Sequence, residues 1–482
     1  MATFQPVLHI IGILLTMLAV AMGITALADL VSGHPDWPVF FASAAVTVFV
    51  GVSLILTTNV ERRKFTIRHA FLLTTLSWLV LAAFAALPFA FSELDMSYTD
   101  AFFESMSGIT TTGSTVILGL DSAPPGILLW RALLQWLGGI GIIVVAVAIL
   151  PMLQVGGMQL FRMESSDRSE KVLPRAAQIA SGIALIYLGS TIACAAAYWF
   201  AGMTAFEAFT HAMTTIATGG FSTSDDSVGM FDSAAIDWIA IAFMLIGAMP
   251  FVLYLQAVRG KPLLLFRDSQ IQCFLAIVVL AVLAIAFWQW AYVGTAIDDA
   301  IRDSAFNVVS VITGTGYSTA AFDQWGGFPL TVFFLLMFVG GCAGSTSCGI
   351  KVFRFQVLYA NARVQMARLL QPHGVYIPYY NRAPIPEGVS ISVMGFFFLF
   401  ICAFALLAMA LGLTGLDFLT AVSGAATSIA NVGPGLGHVI GPSGTFATLP
   451  DTAKWLLSAG MLLGRLELFT VLVLFLPSFW RD

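Results

Sequence analysis

Charged side chains are scarce in this sequence. Asp, Glu, Lys and Arg make up 10% of its 482 residues, against about a quarter in ordinary soluble domains. That scarcity, beside 59% hydrophobic residues, excludes a soluble enzyme, a disordered scaffold and a nucleic-acid binder. A soluble fold has too much surface for its volume to hide so much apolar area. Cysteine is rare as well: Cys194, Cys273, Cys342, Cys348 and Cys402 are all there is. None has metal-ligand spacing, and all sit in or beside apolar runs, so they read as small core residues. His9, His34, His69, His211, His373 and His438 are scattered. His211 falls on a short helix in the second outer loop and reads as packing. The sequence offers no nucleophile–histidine set, no paired carboxylates and no dinucleotide glycine motif, which argues against an enzyme.

What is abundant is apolar length. Runs of spanning size recur at about 7–31, 38–58, 68–91, 126–150, 175–201, 236–258, 270–294, 328–350, 388–412 and 453–478. Each is near the ~20 residues that a bilayer requires. The first run lacks a basic leader, so no cleavable signal peptide is expected. Most of the 21 basic residues fall in a few loops. Arg62, Arg63, Lys64 and Arg68 form one cluster, and Arg162, Arg168, Lys171 and Arg175 the next. Arg259, Lys261 and Arg267 form a third, and Lys351, Arg354, Arg363, Arg368 and Arg382 a fourth. The intervening loops carry acids, among them Asp225, Asp226, Asp298 and Asp299. Lys/Arg-rich loops stay in the cytoplasm. An even number of spans then puts both termini inside.

The outer connections after the second span are long and alike. They run over about 98–122, 204–230, 298–325 and 416–448. Each opens on a short helix-like segment and closes on a Gly/Thr/Ser-rich run. The closing runs are Thr111-Thr112-Gly113-Ser114-Thr115, Thr218-Gly219-Gly220-Phe221-Ser222, Gly314-Thr315-Gly316-Tyr317-Ser318 and Asn431-Val432-Gly433-Pro434-Gly435. The central glycines Gly113, Gly220, Gly316 and Gly433 stand 107, 96 and 117 residues apart, and recurrence of this kind marks an internal repeat. The expected organisation is a helix pair over 1–58 and four span–loop–span units over 59–150, 151–260, 261–370 and 371–482. Capping signals are expected at Thr204 with Glu207, Thr295 with Asp298 and Thr414 with Asp417.

Irregular backbone is tolerated at membrane depth only when it is buried in protein or lines water. Four such segments predict a ring about one axis. They offer carbonyls, hydroxyls and glycines, which suits replacement of a cation's hydration shell. Expected ion ligands are Thr111, Thr112, Gly113, Thr218, Gly219, Gly220, Gly314, Thr315, Gly316, Asn431, Val432 and Gly433. Two further features stand out. Gly340, Gly341, Gly344, Ser345, Thr346 and Gly349, followed by Lys351, interrupt the span at 328–350. Glycine at that density disfavours a continuous helix by ~1 kcal/mol per residue, so a broken helix is expected, although a small-residue packing face would carry the same residues. Arg465 stands inside the last apolar run, where a charge costs at least ~2.5–3.5 kcal/mol. It is expected to face water in a pore or to pair with a partner such as Glu467.

These segments resemble the Trk/Ktr/HKT superfamily of potassium transporters, and most closely its TrkH branch. The matching residues are Glu104-Ser-Met-Ser-Gly-Ile-Thr-Thr-Thr-Gly113, Ala217-Thr-Gly-Gly-Phe-Ser-Thr223, Gly316-Tyr-Ser-Thr319 and Asn431-Val-Gly-Pro-Gly435. The resemblance covers essentially the whole chain. It implies an all-α polytopic membrane fold with two N-terminal helices and four membrane–pore-loop–membrane repeats around a pseudo-four-fold pore. It implies K+ as the transported ion, because all four central glycines are present, and no organic cofactor. It further implies gating by the 340–349 segment and Arg465, a homodimer in the bacterial inner membrane, and a cytosolic TrkA-type regulatory subunit that binds NAD or ATP. Cys348 stands where relatives commonly carry glycine. The rival reading is a sodium- or proton-coupled secondary transporter of potassium, a class that also uses broken helices and repeats.

Overall fold

The computed structural model describes residues 4–58, 66–146, 156–158, 160 and 172–481, the last segment with side chains from 178 onward. Arg62, Arg63, Lys64, Arg162, Arg168 and Lys171 lie outside the described residues, as do the expected unit boundaries near 59 and 151. The chain folds as an all-α polytopic membrane protein. Seven described helices are long and apolar enough to cross a bilayer. Several start where proline supplies the first helical turn, as at Pro6, Pro38 and Pro125; a missing N–H costs nothing there. The Gln5–Ser32 and Trp37–Thr57 helices pack closely through glycine. A Cβ on Gly12 would lie 2.7 Å from the Gly51 carbonyl oxygen, the small-residue crossing that membrane helices favour.

Two expected spans are not single helices. The run at 236–258 divides into Ala234–Ala248 and Phe251–Val258, bent by 94° at Met249-Pro250. Proline cannot continue the helical hydrogen-bond ladder, so hydropathy alone hides the corner. The run at 453–478 divides into Asp451–Arg465 and Phe469–Phe475, bent by 106°. Glu467 and Leu468 turn there with φ of 63° and 36°. The run at 328–350 behaves as the sequence predicts: the Gly327–Met337 helix stops, and the next helix is Val352–Leu370.

Four short helices occupy the long connections: Tyr98–Ile109, Ala205–Ile216, Ile297–Thr313 and Phe418–Ala430. A helix of 12 residues reaches only ~18 Å, so it cannot cross a bilayer and must turn back. Its C-terminal turns are buried in protein in every case. Only one of the three expected capping signals has its expected form. Thr204 and Glu207 make a reciprocal capping box. The third helix starts after Ala296 with no side-chain cap. The Thr414 hydroxyl instead closes the preceding helix by donating to the Leu411 carbonyl. Asp417 is the cap itself, accepting from the Thr420 N–H. That hydrogen bonding holds its exposed carboxyl below the usual 3.8. The first helix is capped by Ser97, which accepts from the Asp100 N–H, a Ser-x-x-Asp signal the sequence reading passed over.

Candidate functional site

The four short helices end in the same way. At each C-terminus one N–H bonds three residues back and the next bonds five back. Thr111 and Thr112 bond Gly108 and Ser107, and Thr218 and Gly219 bond Thr215 and Thr214. Gly314 and Thr315 bond Val311 and Ser310, and Asn431 and Val432 bond Ser428 and Thr427. The backbone dihedrals repeat as well. Thr111, Thr218, Gly314 and Asn431 have φ of 52°, 50°, 72° and 52°, and two residues on Gly113, Gly220, Gly316 and Gly433 are again left-handed. Three of the first four are not glycine. Threonine in that region costs on the order of 1–3 kcal/mol, and such strain persists only where surroundings over-determine it.

The four extended segments form a closed ring. A Cβ placed on Gly113 would lie 2.3 Å from the Gly219 oxygen, and one on Gly220 would lie 1.8 Å from the Thr315 oxygen. One on Gly316 would lie 2.2 Å from the Val432 oxygen, and one on Gly433 would lie 2.8 Å from the Thr112 oxygen. Each central glycine therefore faces the middle carbonyl of the next segment, and the fourth closes on the first. No side chain fits at any of the four positions. The structure brings all twelve sequence-predicted ligand residues into this ring. Every one is buried except Gly113, Gly220 and Gly316, which are of intermediate exposure.

Behind the ring stand residues that hold its backbone in place, among them Arg131 and Gln135, which belong to no motif in the sequence. Glu104 accepts from the Thr115 hydroxyl, the Val116 N–H and Arg131 Nε at 2.8 Å. Arg131 also donates to the Ser222 carbonyl and lies 4.0 Å from the Phe221 ring centre. Gln135 donates to the Gly219 oxygen and accepts from the Phe221 N–H. A cluster of hydroxyls ties Tyr317 to Thr214 and Thr215, and Tyr317 donates to the His211 carbonyl. His211 reaches Glu207 O and Ser222 Oγ, in line with a packing role. The only early signal for the Glu104–Arg131 pair is that each is a charge inside an apolar or buried segment.

The irregular segment from Phe338 to Lys351 lies against the helix-side edge of the ring. Thr346 Oγ1 donates to the Ile216 and Gly247 carbonyls and accepts from Thr218 Oγ1. Cys348 Sγ is 3.9 Å from Thr111 Oγ1. The segment is held at its base by Gly340 N–H to Ile350 O and Ile350 N–H to Phe338 O. A Cβ on Gly340 would meet Cys348 O at 1.8 Å. Arg465 reaches the same segment, donating to Thr346 O, Cys348 Sγ and Gly138 O. Glu467, the alternative partner that the sequence offers, is not among these contacts. Glu467 pairs with Arg354, which also donates to Gly156 O. Lys351 turns back to Ser347 O. A cavity on the far side of the segment is lined by Ser345, Cys348, Lys351, Arg354, Arg465 and Glu467, among others.

Two of the acids in these connections have local partners. The Asp225 carboxylate accepts from the Gly119 and Leu120 N–H groups, and Asp299 pairs with Arg302 at 3.1 Å. Among the described residues no group of three or more His, Cys, Asp or Glu side chains is arranged to hold a metal.

Comparison with known proteins places this geometry. Residues 37–481 match the TrkH family model, described as a cation transport protein. The chain is 47% identical to the Trk system potassium uptake protein TrkI of Halomonas elongata, over 99% of this chain and 97% of that protein. It is 40% identical to the Trk system potassium uptake protein TrkH of Escherichia coli, over 99% and 100%. Its fold superposes on the crystal structure of the potassium transporter TrkH from Vibrio parahaemolyticus with a TM-score of 0.92. That pair shares 39% identity over 99% of this chain and 100% of the other. The chain belongs to the TrkH family of cation transport proteins.

Proposed function

We propose that this member of the TrkH family takes up potassium through a pore within one chain, with the four-glycine ring as its selectivity filter. The closed cycle of central glycines against neighbouring carbonyls carries the reading. Carbonyl oxygens at close quarters replace the hydration shell of a dehydrated cation. The filter is formed by Thr111, Thr112 and Gly113 with Thr218, Gly219 and Gly220, and by Gly314, Thr315 and Gly316 with Asn431, Val432 and Gly433. The short helices direct their C-terminal ends toward the same axis, and each end contributes about half a negative charge.

The Gly340–Gly349 segment, with Lys351, acts as the gate beneath the filter. Arg465 latches it by holding Thr346 and Cys348, and its positive charge raises the barrier to a cation. The relatives are named as parts of a Trk system, which supports a multi-component assembly. In this reading the chain works as a homodimer in the bacterial inner membrane with both termini cytoplasmic. A cytosolic TrkA-type nucleotide-binding subunit then moves the gate. The expected units remain the helix pair at 1–58 and four repeats at 59–150, 151–260, 261–370 and 371–482.

Rubidium uptake into liposomes containing the purified protein tests the reading. Uptake that potassium suppresses and sodium does not is the expected result. Equal competition by sodium would overturn the selectivity, and no flux in either wild type or Arg465→Ala would overturn the pore.

A further inference from the structure

The four segments of the ring are not equivalent behind their backbones. In three of them the middle residue has a side chain: Thr112, Thr315 and Val432. In the second it is Gly219, and the conformation does not require glycine, because Gly219 is absent from the positive-φ residues. Space requires it. A Cβ on Gly219 would lie 2.4 Å from Gln135 Cδ and 2.4 Å from Gln135 Oε1. The Gln135 carboxamide fills the position that a side chain takes in the other segments.

Gln135 is fully buried and uses both ends of its amide. Nε2 donates to the Gly219 oxygen at 2.5 Å, and Oε1 accepts from the Phe221 N–H at 3.0 Å. The Gly219 oxygen is the one that Gly113 faces across the ring. Among the described residues the other middle carbonyls, of Thr112, Thr315 and Val432, accept no side-chain hydrogen bond that the structure records. One turn away on the same Pro125–Val144 helix, Arg131 donates to Ser222 O and is neutralised by Glu104. Residues four apart share a helix face. The second helix of the first repeat therefore grips residues 219–222 of the second at successive positions.

We propose that Gln135 is a specificity-determining residue that sets the position of the Gly219 carbonyl, and that it acts with Gly219 as a matched pair. This rests on the reading of the ring as an ion filter. A carbonyl bonded to a fixed donor cannot swing toward the axis. Sodium is smaller than potassium and needs closer oxygens, so pinning one oxygen at the wider spacing penalises sodium. A buried hydrogen bond of ordinary strength sets the size of the effect, about two- to tenfold in relative affinity.

The test is rubidium uptake into liposomes, with sodium and potassium as competitors, for wild type, Gln135→Leu, Gln135→Met, Gly219→Thr and the pair Gln135→Ala with Gly219→Thr. Both single changes at Gln135 remove the donor. Gln135→Met keeps the unbranched length of the side chain, so it keeps the test alive if Gln135→Leu does not fold. The expected result is that sodium competes at about two- to tenfold lower concentration in either variant while potassium competes as before. Gly219→Thr alone is expected to lose uptake, and Gln135→Ala in the same chain to recover it by vacating the space. Unchanged sodium competition in a folded variant overturns the proposal. So does a Gly219→Thr defect that Gln135→Ala leaves in place. If wild type itself fails to discriminate sodium, the filter reading falls instead, and the two failures are distinct.

Discussion

A single methyl group decides what each central glycine can tolerate. The separation from a built Cβ to the facing carbonyl oxygen is 1.8 Å at Gly220, 2.2 Å at Gly316, 2.3 Å at Gly113 and 2.8 Å at Gly433. All four also hold positive φ, which a side chain disfavours. Alanine is therefore expected to damage rubidium–sodium discrimination in the order Gly220, Gly316, Gly113, Gly433, as competition curves on the four variants would report. Gly113→Ser should admit more sodium by pushing the Gly219 carbonyl. An order set by side-chain size alone, with the four variants alike, would contradict the ring geometry. At Arg465 the argument is electrostatic. A guanidinium that donates to Thr346 O, Cys348 Sγ and Gly138 O ties the loop to two helices. Arg465→Ala is expected to raise the rubidium flux several-fold with little change in ion preference, since the ring does not contact it.

At the scale of elements, the segment proposed as the gate closes on itself at Gly340. Gly340 lets the chain pass within 1.8 Å, as a Cβ would measure it, of the Cys348 carbonyl. Gly340→Ala is expected to displace the loop and mimic the loss of Arg465 in flux assays. A variant with wild-type flux would show that the loop does not limit passage. The short helices depend on their caps in a graded way. Thr204→Ala breaks a capping box and is expected to cost about 1 kcal/mol, read as a lower melting temperature in detergent. Thr295→Ala should cost far less, because the third helix takes no side-chain cap. The sequence pattern treated these two sites alike. The pattern records which residue types are near a helix start, but the hydrogen bond depends on where the chain enters the helix.

At the scale of the molecule, a few buried charges tie helices and turns together. Glu104 and Arg131 tie the first short helix to the helix behind it, at 2% exposure or less. Arg354 and Glu467 join the base of the broken helix to the corner of the last span. Removing one member of such a pair strands a charge and costs ~3–5 kcal/mol, whereas replacing both by apolar residues costs much less. Glu467→Gln is therefore expected to lower thermal stability more than Arg354→Met with Glu467→Met together. Equal losses would mean that the pair is solvated in the working protein. Lys454 and Asp100 make a similar tie at 2.5 Å between the first short helix and the last span, but Asp100 is partly exposed and the tie is correspondingly weaker.

Apolar run length, the four glycine-bearing loops and the glycine-rich interruption after Phe338 were all readable along the chain. Each is a local property: bilayer thickness sets the first, and backbone conformation sets the others. What the tertiary structure alone decided was partnership. Hydropathy averages over a window, so it passed over the corners at Met249-Pro250 and at Glu467-Leu468. Arg465 and Glu467 are two residues apart, and the sequence left open whether they pair, yet the turn between them sends one to Cys348 and the other to Arg354. Gln135 carried no signal at all, being one polar residue in an apolar helix. Its meaning comes from a glycine 84 positions away, and only folding brings the two within reach of a hydrogen bond.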